Sequence, residues 1–329
     1  MQPSRRQALG FLTALAAPLA GPQRAAAQSY PERPIRLVVP FPPGGAYDSL
    51  ARPWADKINP LLGPVVIENI GGAGASLGAA AVARARPDGY SILLGGTLPH
   101  VNEALLKRKP LYDPNKDLDP IMQLAVGYLA IAVHPSVPAQ SLKELVAYTK
   151  NNPGKVSYGH VGIGSTNHLT GELFKSIAGV PDLAQIPYRG AGLVLNDLIG
   201  GQIPVGVVAC TPQSLGFHKD GRLRILAVTS TAPLRAAPEL PTVVQAGFPG
   251  VANPSTYGFL APAGTPRPII DKIASATRAL LSDAAYGQML VEMGFEGTPD
   301  SSPDAFRKVL ADAITFWEPL VKSLGLKID

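Results

Sequence analysis

The chain has 329 residues, of which 46% are hydrophobic and 16% are charged, and its formal net charge is +5. A chain of this length and apolar content can bury large cores and commonly divides into two domains. The one cysteine, Cys210, excludes an intramolecular disulfide and a multi-cysteine metal cage. Basic residues form no long cluster beyond Lys107-Arg108-Lys109, so the composition argues against a nucleic-acid binder.

The N-terminus has the pattern of a cleavable export signal. Arg5 and Arg6 precede an apolar stretch from 8 to 20 and the small-residue run 25–27, so cleavage is predicted before Gln28. Both the general and the twin-arginine export routes fit this arginine pair. A membrane anchor is the alternative, but the apolar run is shorter than the roughly 20 residues that a membrane span requires. Cleavage removes three arginines and no acid, which lowers the net charge from +5 to +2.

The first part of the mature chain alternates strand, glycine-rich turn and helix. Short apolar runs predict strands at 35–39, 64–68 and 91–94. A helix that begins at Ala46 or Asp48 follows the first strand, with Pro53 near its first turn or at a bend. An alanine-rich helix over 75–85 follows the second strand. This order predicts a parallel sheet with crossover helices.

The same alternation recurs further along the chain and predicts a second sheet. Its strands are predicted at 130–133, 156–158 and 223–228. Helices are predicted over 141–149 and around 169–177, where apolar residues recur at helical spacing. The last helix is predicted to open at Ser302-Pro303, and Pro319 is expected to kink it.

Three glycine-rich turns, at 44–46, 71–74 and 162–166, each stand between a predicted strand and a helix start. Unpaired amides at a helix N-terminus, together with the helix dipole, favour an anion, and glycine lets that anion approach the backbone. Glycine also makes tight turns where no ligand binds, so one such turn would carry little weight. The three together predict an anion site, for which a carboxylate is the obvious occupant.

Other candidate residues each have a second interpretation. His168 could donate to a ligand or cap local carbonyls, and Arg189 could pair with a carboxylate or remain solvated. Asp48 could cap its helix instead of contacting a ligand. The five histidines lack metal-ligand spacing, and the glycines at 72–78 depart from the dinucleotide-binding spacing. No metal or other cofactor is therefore predicted, and the sequence is not interpreted as that of a serine hydrolase.

Characteristic segments occur in order along the mature chain, at 30–35, 40–45 with Asp48, Asn69 with 72–74, 87–90, Ser165-Thr166 with 168–169, 187–190, 226–230, 241–242 and 261–266. Together they resemble the extracytoplasmic solute receptors of tripartite tricarboxylate transporters, the TctC or Bug family. The resemblance covers essentially the whole mature chain.

The resemblance implies an α/β, two-lobed periplasmic-binding-protein fold of type II-like topology, with the ligand cleft between the lobes. Lobe 1 is expected to comprise 28–126 plus 254–329, and lobe 2 to comprise 127–253. The two chain crossovers, near 125–127 and 253–258, are expected to act as hinges. The implied protein is a periplasmic monomer that has no cofactor or catalytic activity and passes a small carboxylate to the integral-membrane permease subunits of its transporter.

The resemblance also implies, position by position, which residues line the site. In lobe 1 these are Phe41, Gly44, Gly45, Ala46, Tyr47, Asp48, Asn69, Gly72, Ala73 and Thr97. In lobe 2 they are Ser165, Thr166, His168, Tyr188, Arg189 and Gly190. They are expected to hold a carboxylate largely through backbone amides and bridging waters.

Some positions depart from the family pattern. Tyr47 stands where a small residue is usual, so it is expected to shape the end of the cleft away from the carboxylate. Gln185 replaces a common histidine, and 205–210 lacks the acidic residues often found there, which disfavours a ligand with an ammonium group. An orphan receptor that signals carboxylate availability and a periplasmic enzyme acting on a carboxylate are the alternatives.

Overall fold

The computed structural model describes residues 30–328, so the predicted export signal and its cleavage site lie outside the described residues. Within this range the chain has an α/β architecture with two sheets. The strands are β1 (Ile35–Val39), β2 (Val65–Asn69), β3 (Ser91–Gly96), β4 (Leu118–Gly127), β5 (Leu129–Val133), β6 (Ser157–His160), β7 (Ala184–Pro187), β8 (Val205–Ala209), β9 (Arg224–Val228), β10 (Ser255–Pro262) and β11 (Phe295–Gly297). The α-helices are α1 (Ala46–Leu62), α2 (Ser76–Ala83), α3 (Thr97–Val101), α4 (Leu142–Asn151), α5 (Thr166–Ala178), α6 (Ala191–Ile199), α7 (Pro212–Lys219), α8 (Arg267–Leu281), α9 (Ala284–Glu292) and α10 (Pro303–Leu324).

The first sheet has the strand order β11-β4-β10-β3-β1-β2. β1 pairs in parallel with β2 and β3, as the sequence predicts for this segment. β10 is antiparallel to both β3 and β4, and β11 is antiparallel to β4. The parallel pairing predicted for the first three strands is therefore confirmed, but the sheet as a whole is mixed, because β10 and β4 add antiparallel strands that are not predicted.

The predicted second sheet is confirmed and has the order β7-β6-β8-β5-β9. Here β6 is parallel to β7 and β8, whereas β5 is antiparallel to β8 and β9. The chain passes to this sheet between β4 and β5 and returns between β9 and β10. These are the two crossovers of the expected two-lobed fold.

Each sheet has its own apolar core. In the first, Trp54 of α1 packs on Phe259 of β10, with ring centroids 4.2 Å apart, and both side chains are fully buried. In the second, Ile131 and Val207 lie on one face of the sheet, and Val194 of α6 packs on the other. Burying one such side chain stabilises the fold by about 1.5–3 kcal/mol. Two cores of this kind give each sheet its own source of stability.

Helix boundaries agree with the local sequence signals. Ser302 caps α10, accepting a hydrogen bond from the Ala305 amide at 3.1 Å, so the predicted start of this helix is confirmed. α1 begins at Ala46 and continues through Pro53, which lies about two turns inside the helix and not in its first turn. α10 likewise continues through Pro319 to Leu324. None of the helices within 30–328 is long and apolar enough to cross a membrane.

Candidate anion-binding site

The candidate site is framed by four turns, each running from the end of a strand to the start of a helix. β1, β2, β6 and β7 lead in this way into α1, α2, α5 and α6. These strands run parallel within their sheets, so their turns lie at the carboxyl ends of strands, where α/β folds commonly bind ligands. In each sheet, therefore, two of these helix N-termini lie side by side.

Three of these helices begin without a side-chain cap. The residues before α1, α2 and α6 are Gly45, Ala75 and Gly190, and none of them accepts a hydrogen bond from its helix through a side chain. Four helices away from these turns carry such caps, at Ser141, Thr211, Asp283 and Ser302, whereas α3 and α8 also begin without one. The first amides of α1 and α6 are thus left free, whereas the Ser76 amide at the start of α2 donates to the Ala73 carbonyl. The helix dipole makes the free ends favourable for an anion.

Asp48 organises the turn before α1. Its carboxylate accepts hydrogen bonds from the Gly44 amide at 3.0 Å and from Nδ2 of Asn69 at 3.1 Å, and it pairs with Arg52 at 2.8 Å. Burial opposes ionisation of this carboxyl, but the hydrogen bonds from Arg52, Gly44 and Asn69 outweigh it and lower the pKa. Gly45, not Asp48, is the N-cap, and Asp48 closes the turn from inside the helix, much as the acid of a capping box does.

Phe41 and Tyr47 form the aromatic side of the same turn. Nδ2 of Asn69 also donates to the Phe41 carbonyl at 3.0 Å, which fixes the start of the turn. Tyr47 is buried in the core, with its ring 4.5 Å from that of Phe41 and 4.9 Å from that of Tyr257. Phe41 is partly exposed. Tyr47 therefore lies behind Phe41 and can influence the cleft through it.

The turn before α2 has an unusual backbone. Ala73 and Ala75 have φ values of +49° and +83°, a region that residues with a Cβ rarely adopt. Strain of this kind costs of order 1–3 kcal/mol and is concentrated at ligand-binding and active sites. The conformation brings Gly72 and Ala73 to the exposed side of the turn. These are the two residues predicted here from the sequence.

Ser76, just after this turn, lies within a Gly-x-Ser-x-Gly pattern formed by Gly74 to Gly78. The geometry is not that of a nucleophile. Ser76 has an ordinary helical φ of −62°, is 1% exposed, and donates its hydroxyl to the buried carboxylate of Glu103. Glu103 also accepts the amides of Leu111 and Tyr112, so the pair fixes the start of α2 to a neighbouring loop.

Two stacked histidines support the turn before α5. The His160 and His168 rings lie 4.6 Å apart, and their Nδ1 atoms accept the amides of Gly162 at 3.2 Å and Gly164 at 3.3 Å. Burial and the neighbouring His160 lower the pKa of His168 to about 4, so it is neutral near pH 7. Ser165 caps α5 by accepting the His168 amide at 3.1 Å. His168 thus holds the loop by accepting an amide hydrogen bond, which differs from the carbonyl capping considered from the sequence.

The turn before α6 carries a free cation. Arg189 is exposed and forms no ion pair with any residue in 30–328. Tyr188 is held from both sides, because its amide donates to the His160 carbonyl at 2.8 Å and its hydroxyl donates to Asp197 at 2.7 Å. Gln185 hydrogen-bonds Nε2 of His160 and so occupies a structural position. Arg189 is therefore available to a ligand.

Close glycine contacts bring the four turns together. A methyl group on Gly71 would lie 2.9 Å from Cδ of Pro42, which joins the turns of the first sheet. A methyl group on Gly162 would lie 3.7 Å from the Tyr188 carbonyl, which joins those of the second. Gly74 and Gly164 both pack against Asn102, from opposite sheets. Asn102 and its neighbours in sequence carry no motif from which the contact of Asn102 with both turns could be predicted.

Thr97 and Thr166 complete the predicted set. Thr97 is buried at the start of α3, and its hydroxyl accepts the Thr256 amide of β10 at 3.3 Å, so it lies beside a crossover. Thr166 is the first residue of α5 and is partly exposed. Among the residues from 30 to 328, no group of three or more His, Cys, Asp or Glu side chains could hold a metal ion.

Comparisons with known proteins show which proteins this chain resembles in sequence and fold. The model of the TctC family, described as the tripartite tricarboxylate transporter family receptor, matches residues 50–326. Protein BugT of Bordetella pertussis is 33% identical over 306 residues, which cover 92% of this chain and 92% of BugT. The structure of the periplasmic binding protein BugD has a TM-score of 0.78 at 34% identity and covers 91% of this chain and 99% of its own. The R. palustris protein Rpa4515, solved with adipate, has a TM-score of 0.81 at 33% identity, with coverages of 91% and 99%.

Proposed function

Because the chain belongs to the tripartite tricarboxylate transporter receptor family, we propose that it is a periplasmic solute receptor that binds a small carboxylate and delivers it to membrane permease subunits. It acts as an exported monomer without catalysis or a cofactor. Lobe 1 comprises 28–126 plus 254–329, lobe 2 comprises 127–253, and the lobes close over the ligand. The likeness to BugD and to Rpa4515, which was solved with adipate, supports this proposal.

The observation that carries the proposal is the absence of side-chain caps on α1, α2 and α6. The turns before these helices and before α5 contact one another through glycines and Asn102, and we call them the row of turns. A carboxylate has two oxygens that accept several amide hydrogen bonds, and charge-assisted bonds of this kind are stronger than neutral ones. Arg189 supplies an additional positive charge at the same row. The site is thus built for an anion.

The same row argues against a ligand with an ammonium group. Asp48 is an acid at these turns, but its oxygens already accept hydrogen bonds from Arg52, Gly44 and Asn69. β8 and the residues that follow it to Cys210 contain no acid. We therefore expect simple, hydroxy or aromatic acids to bind in preference to amino acids.

A thermal-shift screen tests this function. A ligand that binds the folded state alone stabilises it by about 2.7 kcal/mol at a hundredfold excess over its dissociation constant. We expect at least one acid from a panel of di- and tricarboxylates and aromatic acids, with adipate included, to raise the melting temperature by several degrees. The matching amides and esters should fail, and small-angle scattering should show a more compact particle with the acid. A panel without any hit would contradict a carboxylate receptor.

Gly45→Val tests where the carboxylate lies. The positive φ in this turn belongs to Gly44, at +88°, and not to Gly45, whose φ is −88° and whose added Cβ would meet no atom within 4 Å. The variant should therefore fold normally and abolish the thermal shift, because its side chain occupies the space in front of the free amides. Gly287→Val adds the same side chain in open space on α9 and should keep full binding. Unchanged affinity in a folded Gly45→Val protein would place the anion elsewhere.

A further inference from the structure

Asn102 lies behind the site, between turns that belong to different sheets. It follows α3 in a π-helical turn, Asn102–Leu106, and is 3% exposed. Its Nδ2 donates to the Gly74 carbonyl at 3.3 Å. Its Oδ1 is buried, has no hydrogen-bond partner among the described residues, and lies 3.8 Å from the position of a methyl group on Gly164. An unpaired buried acceptor is uncommon and unfavourable, so it calls for an explanation.

Ile328, near the C-terminus, contacts the same two turns. Its Cδ1 lies 3.2 Å from the position of a methyl group on Gly164 and 3.9 Å from that of one on Gly74. Its backbone is fixed, because its amide donates to the Leu106 carbonyl at 2.8 Å and its carbonyl accepts the Arg108 amide at 3.3 Å. The side chain therefore reaches both turns from a supported segment.

The amides of the loop 162–165 show which donor Oδ1 can take. Gly162 and Gly164 donate to the two histidines, and Ser165 donates to the Gly162 carbonyl at 3.1 Å. The Ile163 amide donates to no described residue. The loop 162–165 lies beside Oδ1 of Asn102, and the Ile163 amide is the donor in that loop without a described partner.

We propose that Asn102 and Ile328 are positioning residues that couple the two turns across the cleft, and that Oδ1 of Asn102 accepts the Ile163 amide when the lobes close. The turns matter for ligand binding through the proposed function, on which this inference rests. Neither residue contacts the ligand. Forming this bond is favourable because it satisfies an acceptor that has no partner among the described residues.

Hydrogen exchange of the ligand-free protein tests the coupling directly. In Asn102→Leu, we expect the amides of 72–75 and of 162–165 to exchange several-fold faster, although the two segments belong to different sheets. Ile328→Val removes Cδ1 alone and should act in the same direction with a smaller effect. Asn152→Leu is the matched control, because Asn152 donates to the Tyr148 carbonyl at 2.9 Å and should affect the end of α4 alone. A change confined to 72–75 would overturn the proposal.

Adipate binding, measured by calorimetry, provides the second test. Asn102→Leu should weaken binding roughly tenfold, the usual effect of losing one hydrogen bond. The denaturation midpoint without adipate should change little, since the substitution also removes an unpaired acceptor. Equal affinity for adipate in the variant and the wild type would contradict the proposal. If the wild type binds neither adipate nor any other acid of the panel, the proposed function fails, while the exchange measurement still decides the coupling.

Discussion

Two buried titratable side chains, Asp48 and His168, show how individual residues shape this site. Both lie at turns predicted to bind the ligand, and both direct their polar atoms to the backbone of those turns. Asp48 holds Gly44 in place, and His168 holds Gly164. Their effect on a ligand is thus exerted through the position of glycine amides.

His168 makes the stability of the protein dependent on pH. Its pKa in the folded state is lowered to about 4 by burial and by His160, whereas an unfolded histidine titrates near 6.5. Between these values the unfolded chain binds a proton that the folded chain does not. The free energy of unfolding should therefore fall as the pH is lowered from about 6.5 to about 4, by on the order of 2 kcal/mol for this residue.

Urea denaturation at pH 7.5 and pH 4.5 measures this effect in the wild type and in His168→Gln. The variant should lose less stability between the two pH values. It should not lose all of the dependence, because burial also lowers the pKa of His100 to about 4. The same pH dependence in both proteins would show that His168 does not titrate as the geometry indicates.

The sequence predicts the glycine turns of the site but not the partners of its side chains. Gly44, Gly45 and Gly72 are recognised because a local pattern of strand, glycine and helix start defines them. The burial of Tyr47 depends on Tyr257, which is 210 positions away and carries no local signal. Asn102 and Ile328 belong to segments without a motif, and their role arises from packing between distant parts of the chain.

At the scale of helices and strands, local signals and long-range pairing have different predictability. The prediction of β1 is confirmed at Ile35–Val39 because a short run rich in β-branched residues ends at a proline. β4 and β10 are not predicted, because both include prolines, and their pairing contains register shifts at two places. Their strand character comes from hydrogen bonds across more than a hundred residues of separation.

We expect some helix caps to affect both stability and ligand affinity, and others to affect stability alone. Ser165→Ala and Ser302→Ala each remove a side-chain oxygen that accepts an amide hydrogen bond, at 3.1 Å in both cases. Each should lower the free energy of unfolding by about 1 kcal/mol. Ser165→Ala should also weaken acid binding several-fold, because its loop loses support, whereas Ser302→Ala should leave affinity unchanged. Paired urea denaturation and calorimetry check this, and equal affinities would separate Ser165 from the site.

At the scale of the whole molecule, the lobes are joined by more than the two crossovers. An apolar cluster brings Val101 and Leu106 together with Leu169 of α5 and with Trp317 and Val321 of α10. α10 thus shares an apolar cluster with α5 of the second lobe. On another side, Gly294, just before β11, lies against the backbone of Cys210, which follows β8. These contacts set how the lobes can move relative to one another.

The contact at Gly294 gives a test of lobe movement. A methyl group there would lie 2.0 Å from the Cys210 carbonyl oxygen and 3.1 Å from its carbonyl carbon, so backbone segments from the two sheets would have to separate. Gly294→Ala should therefore lower the free energy of unfolding by several kcal/mol, since backbone strain and overpacking each cost about 1–3 kcal/mol. It should also reduce the thermal shift produced by the acid.

Gly264→Ala is the control for this last prediction, because Gly264 has a similar φ, +82° against +85°, but its added Cβ would meet no atom within 4 Å. It isolates the cost of the backbone conformation, about 1–2 kcal/mol. The difference between the two variants in urea denaturation measures the clash between the lobes. Small-angle scattering should show a larger particle for Gly294→Ala and an unchanged one for Gly264→Ala. Equal stabilities and equal dimensions would mean that the lobes do not meet at Gly294 in solution, and that closure turns about the two crossovers alone.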